Sequence, residues 1–133
     1  MTLRFALVVV ALGLLASPAL GQGTSPRATL LQQATQVKQA RWRAMYATYT
    51  PRFRRSCPYS KFVQNARQTR RILGTNFQLR GIQARLESAR RAIVAYRFVV
   101  NGRTVAAMTF QHRDVYVKIG SRWYDELDRV SAC

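Results

Sequence analysis

Cys57 is the side chain whose surroundings most suggest chemistry. In "TPRFRRSCPYSKF" it follows Arg52, Arg54 and Arg55, precedes Pro58, and has no acidic residue near it. Cations and the open N–H groups of a helix start lower a thiol pKa and favour the nucleophilic thiolate. A reactive thiol, a structural disulfide and a metal ligand all use such a residue. The metal role fails on inventory, because one His and two distant Cys make no zinc spacing. No cofactor is implied either.

The N-terminus bears on the other two roles. "MTLRFALVVVALGLLASPALGQG" has a basic start at Arg4, an apolar run from Phe5 to Ala16, and small residues before a cut after Gly21. This is the pattern of a secretory signal over residues 1–21. The run is shorter than the roughly 20 apolar residues that span a bilayer, which disfavours a membrane anchor. Residues 22–133 are then expected as one mature domain, secreted or held in the periplasm or cell envelope, with no transmembrane helix. The only other cysteine is Cys133, the last residue. In an oxidising compartment two cysteines are most simply one Cys57–Cys133 disulfide, with an intermolecular bridge as the rival.

Charge is the second strong signal. The chain holds 22 Lys and Arg against 5 Asp and Glu, a formal +17; removing Arg4 with the signal leaves 21 − 5, or +16. Gln22 to Leu86 carries 13 basic residues and no carboxylate, and the first acid is Glu87. Such a field attracts anionic partners outside the cell: nucleic acid, anionic lipid or cell-envelope polymer. The blander explanation is solubility with codon bias, since 19 of the 22 basic residues are Arg. Candidate anion-binding residues are Arg52, Arg54 and Arg55, expected just before a helix N-terminus, and Arg67, Arg70 and Arg71 on that helix. The first three equally suit the end of the preceding helix. Arg85, Arg97, Arg103 and Arg113 widen the basic surface. No nucleic-acid recognition motif accompanies them, so weak sequence dependence is expected.

These residues need elements to position them. Thr24-Ser25-Pro26 reads as a helix start. Apolar residues then recur at helical spacing at Leu30, Leu31, Ala34 and Val37, and again at Trp42, Met45, Tyr46 and Tyr49. One kinked helix or two helices broken near Gln39-Ala40 both fit. Pro51 stops the segment, and Cys57-Pro58 opens another helix with Phe62, Ala66, Thr69 and Leu73 inward and Gly74 as its stop. Strands follow at about Phe77 to Glu87, Arg91 to Val100, Arg103 to Val117 and Arg122 to Leu127. The fold class is α+β, with N-terminal helices on a curved antiparallel sheet of about four strands. At Asn101-Gly102 a two-residue loop pairs Val100 with Arg103, whereas a three-residue loop pairs Val99 with Arg103. The second is preferred, because it gathers Val94, Tyr96, Phe98, Ala106, Met108 and Phe110 on one face.

The helix "ARWRAMYATYTPRF", the bend "PRFRRSCPYSKF", the strand ending "DVYVKIG" and the final "RWYDEL" resemble the nuclear-transport-factor-2-like superfamily, the cone-shaped fold also called cystatin-like. The resemblance covers about Ala28 to Leu127 and is nearest to exported bacterial members of unknown function. It implies a cone cavity, which some relatives use as enzymes with carboxylates, His or Tyr inside. Trp42, Tyr46, Tyr96, Phe98, Met108, Phe110 and His112 are the candidate pocket residues, although at their spacing they serve equally as core. The position before Trp42 is Arg41 where some relatives carry an acid, and Asp114, Asp125, Glu126 and Asp128 fall at or near strand ends. No Asp-Arg-Asp constellation is assembled, and no catalytic residue is assigned.

The leading expectation is therefore an exported, non-catalytic domain binding anionic partners at a basic surface. A small-ligand carrier or enzyme using the cone, and an accessory envelope protein docking another protein, are the alternatives. A homodimer is compatible with each.

Overall fold

Ser25 caps the first helix by accepting the Ala28 N–H at 3.0 Å, and Pro26 takes the first helical position. The computed structural model describes residues 23–105, 112–127 and 133, with the backbone alone at His112. Four helices lead: α1 (Pro26–Lys38), α2 (Trp42–Tyr46), α3 (Pro51–Ser56) and α4 (Tyr59–Leu73). Five strands follow: β1 (Phe77–Ser88), β2 (Arg91–Val100), β3 (Arg103–Thr104), β4 (His112–Ile119) and β5 (Arg122–Asp125). The result is an α+β fold whose helices precede a curved, unclosed antiparallel sheet of order β1-β2-β4-β5, with β3 paired to β2.

The helical half breaks where expected, at Gln39 to Arg41, with Ala40 in the left-handed region at φ 54°. Pro51 behaves differently from the expectation that it only ends a segment. It occupies the first position of α3, and Thr50 caps that helix by accepting the Phe53 N–H at 3.1 Å. A Thr-Pro pair is preorganised for this, since the ring fixes φ and the missing N–H would have no partner anyway. Arg52, Arg54 and Arg55 consequently sit on a helix of their own rather than in a linker ahead of α4. Gly74 ends α4 at φ 71°.

The hairpin register differs from the preferred one. Val100 pairs with Arg103 and Val99 with Thr104, so Asn101 and Gly102 alone form the loop, at φ 51° and 76°. Left-handed geometry at both residues is that of a type I′ turn, whose twist matches the strands it joins. The apolar alternation is recovered elsewhere. Continuing that ladder would place residue 107 opposite Tyr96, but His112 pairs there, so the β2–β4 ladder is offset from the β2–β3 ladder by five residues. From Tyr96↔His112 to Ala92↔Tyr116 even residues face even ones, which puts Val94, Tyr96, Asp114 and Tyr116 on one face. Ala106, Met108 and Phe110 lie outside the described residues.

A comparable device sits in β1. The ladder with β2 shifts by one residue between Arg80 and Gln83, at Gly81 with φ 61°. A one-residue bulge exchanges the faces of a strand. Phe77 and Leu79 before it and Ile82 after it thereby all pack toward the helices, against Val37, Leu73 and Tyr96.

Cys57 and Cys133 form a disulfide, Cα to Cα 5.3 Å. It joins the α3–α4 bend to the end of the chain beside the aromatic cluster of Tyr49, Phe53 and Phe62. No described helix is long and apolar enough to cross a membrane.

Candidate functional site

Four elements converge on one internal wall. Leu30, Ala34 and Val37 form the apolar stripe of α1, and Gln33 belongs to the same face, three residues after Leu30 and four before Val37. On β4 and β5 strict alternation turns Asp114 and Tyr116, and then Trp123 and Asp125, toward α1, all four of them buried. Tyr96 and Phe98 reach the same space from β2. Sequence position alone places Asp114 and Asp125 near strand ends; their buried orientation comes from the pairing of β2, β4 and β5.

Gln33 organises the polar part of the wall. The hydroxyl of Tyr116 donates to its Oε1 at 2.9 Å. Its Nε2 donates to Thr48 Oγ1 at 2.9 Å and to Asp125 Oδ2 at 3.1 Å. Asp125 Oδ1 accepts the Leu127 N–H at 2.7 Å. The hydroxyl of Tyr96 donates to Asp114 Oδ2 at 2.6 Å. Thr48 and Thr50 hold β5 from its outer side, since the Asp125 N–H donates to the Thr48 carbonyl and the Thr50 N–H to the Asp125 carbonyl, each at 2.9 Å.

Burial, 1% exposure at Asp125, decides the electrostatics. Loss of solvation pushes the Asp125 carboxyl well above its usual range, and the nearby Asp114 charge pushes the same way, against the bonds from Leu127, Gln33 and Tyr116. Two carboxylates in a shared low-dielectric space favour holding a proton. Tyr49, Tyr96 and Tyr116 are likewise pushed up, first by burial and then by the two aspartates. Tyr96 and Tyr116 use their hydroxyls as hydrogen-bond donors, to Asp114 and Gln33.

Beside this wall lies a cavity of about 200 Å³. Leu30, Val37, Leu73, Phe77, Leu79 and Phe98 line its apolar part, and Gln33, Tyr49, Tyr96, Asp114 and Asp125 its polar end. Among the described residues no Arg, Lys or His lines it, and no three His, Cys, Asp or Glu side chains converge to hold a metal ion.

The remaining candidates are distributed elsewhere. Tyr46 packs against Tyr59 and Phe62 and donates to the carbonyls of Arg54 and Cys57, at 2.9 and 2.7 Å, so it fixes the α3–α4 bend. Trp42 borders a surface groove with Arg67, Arg70 and Arg71, which the arginines of α3 do not line. Arg52 and Arg55 are exposed and Arg54 half-buried. Met108 and Phe110 lie outside the described residues, and His112 holds the register position opposite Tyr96. Cys57 is buried and oxidised, which removes the reactive thiol. Sequence reading missed Gln33, Asp114 and Asp125 as a group, although Gln33 within an apolar helical stripe was a legible sign.

A scan of protein-family models finds no match to this chain, and a search of curated proteins finds no similar sequence.

Proposed function

We propose that the chain is a small-molecule-binding domain of the nuclear-transport-factor-2-like kind, exported from the cell, whose cone cavity takes a small, mainly apolar ligand. The observation that carries this reading is the cavity itself, apolar along most of its wall, with two buried carboxylates and two tyrosines in its lining. A cavity of 150 Å³ holds benzene, so about 200 Å³ suits a single ring or a short chain with one polar group. Two buried carboxyls, with the Asp125 pKa raised by burial and by Asp114, disfavour an anion and suit a neutral polar group such as a carbonyl or ether oxygen. The helices-on-sheet architecture supports the family resemblance, and the disulfide supports export.

Native mass spectrometry of protein purified from its own envelope tests the reading, together with thermal shifts against monocyclic neutral ketones and ethers. A small adduct, lost in Ala34→Phe while the far-ultraviolet spectrum is kept, is the expected result. An adduct-free mass and no shift from any compound would refute it.

A second reading, binding of an anionic partner at the exterior, is favoured by a separate observation. Among the described residues the sole ion pair is Arg91–Glu87, at 2.7 Å, while Asp114 and Asp125 are buried and give the surface no negative charge. Salt-sensitive retention on a polyanionic matrix is expected, and salt-insensitive binding or none would remove this reading.

A further inference from the structure

Two left-handed residues, Ala40 at φ 54° and Gly74 at φ 71°, turn the chain away from the ends of α1 and α4. Between these turns lies an open groove of about 570 Å³, lined by Arg67, Arg70, Arg71, Trp42 and Thr75 as well as the two turn residues. The three arginines are spaced i, i+3, i+4 and share one face of α4. Like charges so close repel, yet the described residues supply little to offset them. Arg70 is anchored: its Nη2 donates to the Lys38 carbonyl at 3.2 Å, and its buried Nε has no partner. The side chains of Arg67 and Arg71 are exposed and make no hydrogen bond or ion pair to a described residue. The two helix C-termini contribute about half a negative charge each, which leaves three guanidinium groups undercompensated. No carboxylate lines the groove.

The other wall is the half-buried indole of Trp42. A guanidinium fork matches a phosphate bidentately, and an aromatic wall beside a cationic track is how unpaired bases are held. A duplex keeps its base faces stacked and would leave the indole unused. A membrane surface would need aliphatic groups to insert, and the lining has none larger than alanine. We propose that this groove seats single-stranded nucleic acid, its phosphates on Arg67 and Arg71, with Arg70 fixed behind them and a base against Trp42. The proposal rests on the reading of an anion-binding exterior and gives that exterior one defined seat.

Tryptophan fluorescence reads the site directly, because the only other tryptophan, Trp123, is buried at 7% exposure. With a short oligothymidylate at low salt the emission should be quenched. Trp42→Phe should abolish the quench and weaken binding of a labelled oligonucleotide about fivefold. Arg67→Gln with Arg71→Gln should weaken it at least about tenfold and flatten the log–log salt slope by about 1.4. Arg85→Gln with Arg97→Gln, the same charge removed from the sheet, should change affinity less than about twofold. Equal losses from both double variants would overturn the groove while leaving the exterior reading intact. Absence of any salt-dependent binding would remove both. Quenching by anionic phospholipid vesicles but not by the oligonucleotide would also overturn the proposal, in favour of a lipid surface.

Discussion

Gln33 on the first helix and Asp125 on the last strand are joined by a 3.1 Å hydrogen bond from Nε2 to Oδ2, across 92 residues of sequence. The same amide receives the Tyr116 hydroxyl and donates to Thr48, so α1, β4, β5 and the segment after α2 depend on one side chain. Gln33→Leu keeps the volume but strands Tyr116 and Asp125 oxygens in a buried setting. A loss of about 2–3 kcal/mol is expected in chemical denaturation. Gln33→Glu should be worse, because it adds a third acid to the wall.

The raised Asp125 carboxyl makes stability depend on pH. Its folded pKa lies above the unfolded one, near 3.8, so between these values the native state binds the extra proton. Stability is then highest below about 4 and falls as pH rises toward the folded value. Thermal melts across the acid-to-neutral range should show this decline for the native chain. Asp125→Asn, which cannot ionise, should flatten it; an unchanged slope would mean Asp125 is ionised in the folded protein.

The disulfide closes a 76-residue separation. In the chain-entropy model such a crosslink stabilises by about 4 kcal/mol. Cys133→Ser should lower the urea midpoint accordingly. Cys57, at 1% exposure, should resist iodoacetamide in that variant until the protein unfolds.

Gly81 holds a left-handed conformation where a Cβ would meet the Arg97 guanidinium at 3.5 Å. Gly81→Val should cost about 1–2 kcal/mol, mostly from the backbone. Deleting the residue should be more damaging, since it would turn either Phe77 and Leu79 or Ile82 away from the helices. Equilibrium unfolding of both variants compares the two costs.

Local chemistry made part of this molecule readable in advance. Ser25-Pro26 and Gly74 mark helix ends because capping is decided within a few residues. Cys57 and Cys133 leave one intramolecular partner each. Three features depend on long-range pairing instead. Asp114 and Asp125 look peripheral until β2, β4 and β5 are in register. Gly81 appears an ordinary strand interruption, though it decides which face Ile82 occupies. At Asn101-Gly102 turn chemistry and apolar alternation point to different loops; the turn follows its own chemistry, and the five-residue offset of the β2–β4 ladder restores the alternation farther along. Local turn chemistry at Asn101-Gly102 therefore outweighs the alternation beyond it.

The pairing of Thr48 to Thr50 along β5 has a consequence for assembly. Growth by strand addition requires two unpaired borders, one to receive a neighbour and one to offer onward. Here one border is occupied by the chain itself, and among the described residues β1 forms the other. A neighbouring strand could add along β5 only after Thr48 to Thr50 were peeled away, which leaves β1 as the longer border at which a second copy would pair.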